Sequence, residues 1–389
     1  MLADIEQIGR NPRTGGYRRD AWSPADMQLR EWFTHQAVTR GLTSHEDRNG
    51  NLWAWWGDPA ADGPGLVTGS HLDSVREGGA FDGPLGVASA FQAIDLLRGD
   101  GFRPDRPIAV ACFTDEEGAR FGVPCIGSRL LTGVLDPSRA RGLADDEGLC
   151  LDEVLRGQGR DPGGLGRDDE TLAHIGVFVE LHVEQGRALQ APVGVASAIW
   201  PHGRWRFDFR GTADHAGTTA LEDRDDPMLA YARAVLAARL QAETHGVRAT
   251  FGKVRVEPGN ANAIPSLVTA WLDARGPETA AVRRLVEELS HGVEVTEESW
   301  TPEVVFDDVL RLRVACAAGF DGHPAPILPT AAGHDAGILA SAGVPTAMLF
   351  VRNPTGVSHA PGEFAEPADC VSGVVALAAV LADLTGGGA

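Results

Sequence analysis

The sequence predicts an α/β protein: a large domain built on a mixed sheet, with a small α+β domain inserted into it. Three observations lead there. Short apolar runs, Leu66 to Thr68, Ile108 to Phe113, His174 to Val183 and Thr346 to Val351, read as buried strands. Apolar residues between them recur at helical spacing, as in Val87, Phe91, Ile94 and Leu97. From about 199 to 308 the pattern turns to alternating strands and two helices, in the order strand, helix, strand, strand, helix, strand. That is the split βαβ arrangement. A chain of 389 residues is long for a single core. The expected division is therefore 1–198 with 309–389 for the large domain and 199–308 for the small one.

Each element has a local cause. Ser23 followed by Pro24 and Asp26 starts a helix that runs to about Arg40 and stops at Gly41. Asn49-Gly50 marks a turn before a strand from Asn51 to Trp56. The strand at Leu66 leads to His71 and Asp73, a Gly-rich loop delivers Asp82, and a helix opens near Leu85. In open α/β sheets ligands bind at such strand ends. IAVACF, the next buried strand, ends in Thr114-Asp115-Glu116-Glu117-Gly118. Residues 133–170 read as short helices and surface loops. HIGVFVELHV is another buried strand, with His182 near its end and Glu184-Gln185-Gly186 behind it.

The small domain begins with an alternating strand, Arg204 to Arg210, followed by GTADHAGTT and a helix from Pro227 to about Gln241. Strands Ala249 to Val256 and Leu267 to Ala274 are joined by EPGNANAIPS; a helix, Glu278 to Leu289, and a strand, Val293 to Thr296, complete it. The large domain resumes as helices at 309–319 and 334–342, the strand at Thr346, and a final Ala/Val/Leu helix. The tail Gly386-Gly387-Gly388 is expected to fray.

Composition narrows the function. Lys and Arg number 34 against 54 Asp and Glu, a formal charge of -20, which disfavours nucleic acid and anionic membrane as partners. Five scattered cysteines without a CxxC pair argue against a disulfide framework or thiolate zinc site and suit a reducing cytosol. MLADIEQIGR lacks a basic region followed by an apolar run, so no secretory signal is expected. No uninterrupted apolar stretch reaches membrane-spanning length.

The chemistry-bearing residues are His71, Asp82, Glu117, His182 and His359. Imidazole and carboxylate suit zinc, manganese or cobalt. Five such ligands, one carboxylate shared, could hold two ions about 3.5–4 Å apart that acidify a water and polarise a carbonyl. Glu116 beside Glu117 points the other way in an extended segment, free to take the proton of that water. Asp73 is placed to hold the other nitrogen of His71. The Gly-rich loop has neither a strand-GxGxxG-helix order nor a Walker lysine, so phosphate binding is poorly supported.

GSHLDSV, GGAFDGPLGV, TDEEGARF, ELHVEQG, DHAGTT, NAIP with DAR, and GHDA followed by SHAPGE occur here in one order. In these motifs the chain resembles the amidase/hydantoinase/carbamoylase branch of the M20 metallopeptidase-like hydrolases. That branch includes N-carbamoyl-L-amino acid hydrolases, allantoate amidohydrolases and β-ureidopropionases. The resemblance runs from about Ile8 to the tail. It implies that His71, Asp82 and His182 hold one ion and Asp82, Glu117 and His359 the other. Glu116 would be general base and then acid. His182, where peptidase branches use an acidic ligand, marks the carbamoylase-type branch. A cis peptide between Asp82 and Gly83 is also implied.

By the same resemblance the small domain serves as lid and homodimer surface. His215 stabilises the oxyanion in the partner subunit's site, Asn262 and Arg275 bind the substrate and its carboxylate, and Gln185 contacts the ureido group. Zinc is the expected ion, with manganese, cobalt or nickel also accepted by these ligands. Ala331 replaces a Gly that relatives use for close backbone approach, and Trp200-Pro201-His202 and the ALEDRDDP run are also unusual; these changes bear on the substrate.

The expected protein is thus a cytosolic, homodimeric, two-metal amidohydrolase of a small ureido or amide substrate with a carboxylate. The first choice is an N-carbamoyl-L-amino acid, yielding amino acid, CO2 and ammonia; the alternative is allantoate. An aminoacylase or dipeptidase is disfavoured by His182 and Gln185. A non-catalytic binding protein on the same fold would have lost ligands, and none is missing.

Overall fold

In the computed structural model, which describes residues 1–388, the chain forms two compact units. One comprises Met1–Ser197, Phe306–Leu328 and the chain from His334 onward; the other comprises Ala198–Val305 with Pro329–Gly333.

The sheet of the first unit runs in the order Thr43–Glu46, Leu52–Trp56, Ile108–Phe113, Gly65–His71, Ile175–Val183, Thr346–Val351, Val193–Ile199. The middle four strands are mutually parallel and the flanking ones antiparallel, so the sheet is mixed. Parallel strands are covered on both faces, and these four are almost wholly buried. Their register decides where function can sit. Ser70 pairs with Cys112 and His71 with Phe113; Phe350 pairs with His182 and Val351 with Val183. The loops that follow all four strands therefore leave from one edge.

The helix Pro84–Gly99 buries Val87, Ala90, Phe91 and Ile94 in the core and packs on the C-terminal helix Pro367–Thr385. That last helix is long and apolar enough to cross a membrane by length and composition, with a mean hydropathy of 1.7, although Asp369 and Asp383 interrupt its apolar run. Half of it is buried here, and Ala376, Leu377, Val380 and Leu381 belong to the same core as the sheet.

The second unit is a four-stranded antiparallel sheet in the order Arg248–Glu257, Leu267–Arg275, His202–Arg210, Glu294–Thr301. Side chains alternate across it. Trp205, Phe207, Phe209, Val268, Ala270 and Leu272 face the helices Pro227–His245 and Thr279–Leu289 and form their own core. The alternate set, which includes His202, Arg204, Asp273 and Arg275, faces away from that core; Arg204 pairs with Asp273 and His202 with Arg275.

Three local readings change. Thr43–Glu46 is a strand that its four polar residues do not advertise. Val193–Ile199, rich in small residues, is a buried strand of the main sheet. The tail is not frayed: Gly387–Gly388 pairs with Arg103–Pro104. A Cβ on Gly387 would lie 2.1 Å from the Arg103 carbonyl oxygen, so only glycine can pair this closely.

Candidate metal centre

All the candidate ligands lie in the first unit, on the edge where the parallel strands end. His71 closes its strand, and its ring is held from behind: Nδ1 lies 3.0 Å from the Asp73 carbonyl oxygen and 3.5 Å from the Asp73 carboxylate. His182 is held likewise, Nδ1 2.9 Å from the Val183 carbonyl. A carbonyl only accepts, so both Nδ1 atoms carry a proton and both rings turn Nε2 toward the site. Those Nε2 atoms face Asp82 Oδ1, at 3.6 Å from His71 and 3.2 Å from His182. Both Nε2 atoms are buried and lack a hydrogen-bond partner.

On the other side of the same carboxylate, Asp82 Oδ2 lies 3.5 Å from His359 Nε2, which is also 3.5 Å from Glu117 Oε2. Two donor sets thus share Asp82: His71, Asp82 and His182, and Asp82, Glu117 and His359. Buried Nε2 atoms without a hydrogen-bond partner, set around a shared carboxylate, are placed to bind a cation, and mixed imidazole and carboxylate donors are those of divalent metal ions. The donor sets fit such ions.

Asp73 does more than orient His71. Its Oδ1 accepts from Glu116 N and its Oδ2 from Glu117 N, each at 3.1 Å, so one carboxylate fixes the Asp115-Glu116-Glu117 loop. Glu116 Oε2 lies 3.8 Å from His71 Nε2, and Cys125 Sγ donates to Glu116 Oε1 at 3.5 Å. Burial pushes the Glu116 carboxyl well above its ordinary range; Glu117, Asp335 and Asp73 add to this and His71 opposes it. Burial also raises Asp82, but His182, His71 and His359 outweigh it and hold Asp82 well below the usual carboxylate range. Left-handed backbone at Asp115, Cys125 and His359 concentrates strain at this site.

The loop that delivers Asp82 has requirements the motif alone did not explain. Glu363, in SHAPGE, accepts from Phe81 N at 2.8 Å and Asp82 N at 3.0 Å. A Cβ on Gly79 would meet Glu363 at 2.3 Å, and one on Gly83, at φ +82°, would meet the His71 ring at 2.4 Å. The implied cis peptide at Asp82–Gly83 is not found: among the described residues the cis bond is Glu257–Pro258. Gly83 makes the turn through its positive φ instead.

Gln185 Nε2 donates to Asp82 Oδ2 at 2.8 Å, and Ser358 Oγ donates to the same oxygen at 3.3 Å. Glu363, Ser358 and Cys125 were missed as site residues. The first two lie inside a quoted motif beside His359, and that proximity was the available signal.

The remaining candidates, His215, Asn262 and Arg275, lie in the second unit. His215 and Asn262 are exposed and adjacent: Ala216 N donates to the Asn262 carbonyl, and His215 pairs with Ala263 in a two-residue ladder. Arg275 is half-buried and immobilised. Its Nε and Nη2 bond the Asp273 carboxylate at 2.7 and 2.5 Å, and Nη1 donates to the Ala331 carbonyl at 2.9 Å. Of five guanidinium donors, two remain, one each on Nη1 and Nη2. Burial raises the Asp273 carboxyl, but Arg275 outweighs it with help from Arg204 and His202, and the net shift is downward.

The comparisons agree with this geometry. The sequence matches Peptidase family M20/M25/M40 over residues 67–383. It is 34% identical to an N-carbamoyl-L-amino acid amidohydrolase of Geobacillus stearothermophilus, covering 97% of this chain and 95% of that protein. It is 29% identical to allantoate amidohydrolase of Escherichia coli, covering 98% and 95%. A crystal structure of an amidase of the hydantoinase/carbamoylase family from Burkholderia vietnamiensis superposes with a TM-score of 0.90 at 29% identity, covering 99% and 96%. With two donor sets fit for divalent ions and this kinship along nearly its whole length, the chain belongs to peptidase family M20/M25/M40 and is one of its metal-dependent amide hydrolases.

Proposed function

We propose that the protein is a cytosolic homodimer that hydrolyses N-carbamoyl-L-amino acids to the amino acid, CO2 and ammonia. The observation that carries this reading is that two donor sets share Asp82 beside a buried Glu116.

Divalent ions held by His71, Asp82 and His182, and by Asp82, Glu117 and His359, would supply an acidified water and a polarised ureido carbonyl. Glu116, whose carboxylate is made a stronger base by burial, takes the proton of the water and returns it to the leaving nitrogen. Asp73 keeps His71 and the Glu116–Glu117 loop in register. His215 donates to the developing oxyanion from the partner subunit, Gln185 contacts the ureido group, and Asn262 a polar substrate group.

Arg275 supports a substrate carboxylate. Asp273 occupies the Nε/Nη2 edge and Ala331 one further donor, which leaves one donor on each of Nη1 and Nη2 for a substrate carboxylate. Arg275→Lys removes that fork while keeping the charge. Its kcat/KM is expected to fall by about 10–100-fold, mostly through KM, since bonds to charged groups are worth about 1.5–3 kcal/mol. Steady-state kinetics on a carboxylate substrate and on its amide separate the effect: the amide should be indifferent to the substitution.

The homodimer reading rests on the second unit. Leu229, Leu236 and Leu240 lie at helical spacing along Pro227–His245 and are 57, 73 and 61% exposed. The edge strand beside them, Arg248–Glu257, exposes Val254. An apolar stripe next to an unpaired strand edge is what a second copy would cover. Leu236→Glu combined with Leu240→Glu is expected to convert a dimer to a monomer in sedimentation velocity. A dimer of unchanged affinity would place the interface elsewhere.

The rival substrate is allantoate, which offers the same ureido carbonyl and a carboxylate for Arg275. A panel of N-carbamoyl-L-amino acids, allantoate, N-acetyl amino acids and dipeptides, run with metal-reconstituted protein, tests the choice. Turnover of allantoate with inert N-carbamoyl amino acids overturns it.

A further inference from the structure

The turn that follows His215 has a feature that the oxyanion role alone does not require. His215 Nδ1 is met by two backbone donors at once, Gly217 N at 3.0 Å and Thr218 N at 3.1 Å. An amide N–H can only donate, so Nδ1 carries its lone pair and the ring proton sits on Nε2. The ring is exposed, and water by itself would not enforce this choice.

The turn is built to keep those amides in place. Thr219 N and Thr219 Oγ both donate to the His215 carbonyl, at 3.1 and 2.8 Å. Ala216 N donates to the Asn262 carbonyl at 3.0 Å, anchoring the near side. Arg224 closes the far side: Nη2 donates to the carbonyls of Ala216 at 2.7 Å and Thr219 at 3.0 Å, and Nε donates to Thr219 at 3.1 Å. A Cβ on Gly217 would lie 3.2 Å from His215 Cε1, so a side chain there would press on the ring that these donors hold. Arg224 comes from the ALEDRDDP run, whose presence the rest of the site leaves unexplained. The next residues cap the following helix, where Asp226 accepts from Met228 N.

We propose that the His215–Thr219 turn, clamped by Arg224, is a tautomer lock that fixes the His215 proton on Nε2 and so commits the exposed ring nitrogen to donating. A group that stabilises an oxyanion must present a hydrogen. In the other tautomer the same nitrogen would present a lone pair to a developing negative charge. Arg224 and Gly217 are thereby positioning residues: they act through His215 and touch no substrate. The lock itself rests on the turn; its catalytic use rests on the amidohydrolase reading.

The test is two-bond 1H–15N correlation spectroscopy of the full-length protein carrying 15N-labelled histidine, with His215 assigned by the signal missing from His215→Gln. The expected spectrum has Nδ1 at the shift of an unprotonated acceptor and Nε2 at that of a protonated nitrogen. A protonated Nδ1, or averaging between the two forms, overturns the lock without any variant having to fold. Arg224→Ala, which removes all three bonds to the Ala216 and Thr219 carbonyls, is expected to introduce averaging. It should also lower kcat at least about tenfold, toward the 10²–10³ lost with an oxyanion donor, at unchanged KM. Averaging with full kcat would overturn the catalytic use of the lock. Thr218→Pro, which removes one amide donor and leaves Arg224 intact, should repeat the pattern. A locked spectrum in a protein inert toward every ureido substrate would count against the proposed function and leave the lock standing.

Discussion

Glu116→Gln is expected to lower kcat by about 10³-fold, within the 10²–10⁴ that a positioned acid–base group contributes. The substitution is close to isosteric, so the volume beside His71 and Cys125 stays filled. Glu116 N keeps its bond to Asp73, because that bond is made by the backbone. What is lost is the ability to take a proton from water and return it to the leaving nitrogen. The metal content should not change, since Glu117 and not Glu116 belongs to the donor sets. KM should move little, because an amide in place of the acid removes no contact assigned to the substrate. Steady-state kinetics and metal analysis on the same preparation check both halves. Full activity in this variant would remove Glu116 from the chemistry.

Metal removal is expected to have the second large effect. Stripping the protein with a chelator should abolish turnover, and zinc, manganese, cobalt or nickel should restore it to different extents, as ligands of this kind accept all four. Stability should fall as well. Asp82 is buried between two imidazoles, with Glu117 and His359 beyond, and a buried cluster of carboxylates is costly without its ions. An ion present at a hundred times its Kd contributes about 2.7 kcal/mol to the folded state. Thermal unfolding of stripped and reloaded protein should differ accordingly, in a metal concentration-dependent way. Equal activity and equal unfolding temperature before and after stripping would contradict the ligand assignment.

Much of the site could be read from the chain because its residues follow buried parallel strands. IAVACF and HIGVFVELHV announce themselves by length and apolarity, and the polar residues after them must leave from the same sheet edge. The carboxylate of Asp73 could not be assigned that way. Its bonds to Glu116 N and Glu117 N span more than forty positions, and no spacing rule links them. Glu363 is less legible still, because it acts on a loop 281 residues earlier through a gap that exists only because Gly79 lacks a Cβ. Short or atypical strands were lost for simpler reasons: Thr43–Glu46 is polar, and Val193–Ile199 is too small-sided to look buried. The fork of Arg275 needed the fold as well, since the Ala331 that helps to hold it lies 56 residues further along the chain.

Anomalous diffraction from crystals loaded with manganese or zinc tests the two-ion centre most directly. Two peaks per chain are expected, one among His71, Asp82 and His182 and one among Asp82, Glu117 and His359, with Asp82 touching both. A single peak at full loading, or peaks that leave His182 or His359 without a bond to any ion, would contradict it.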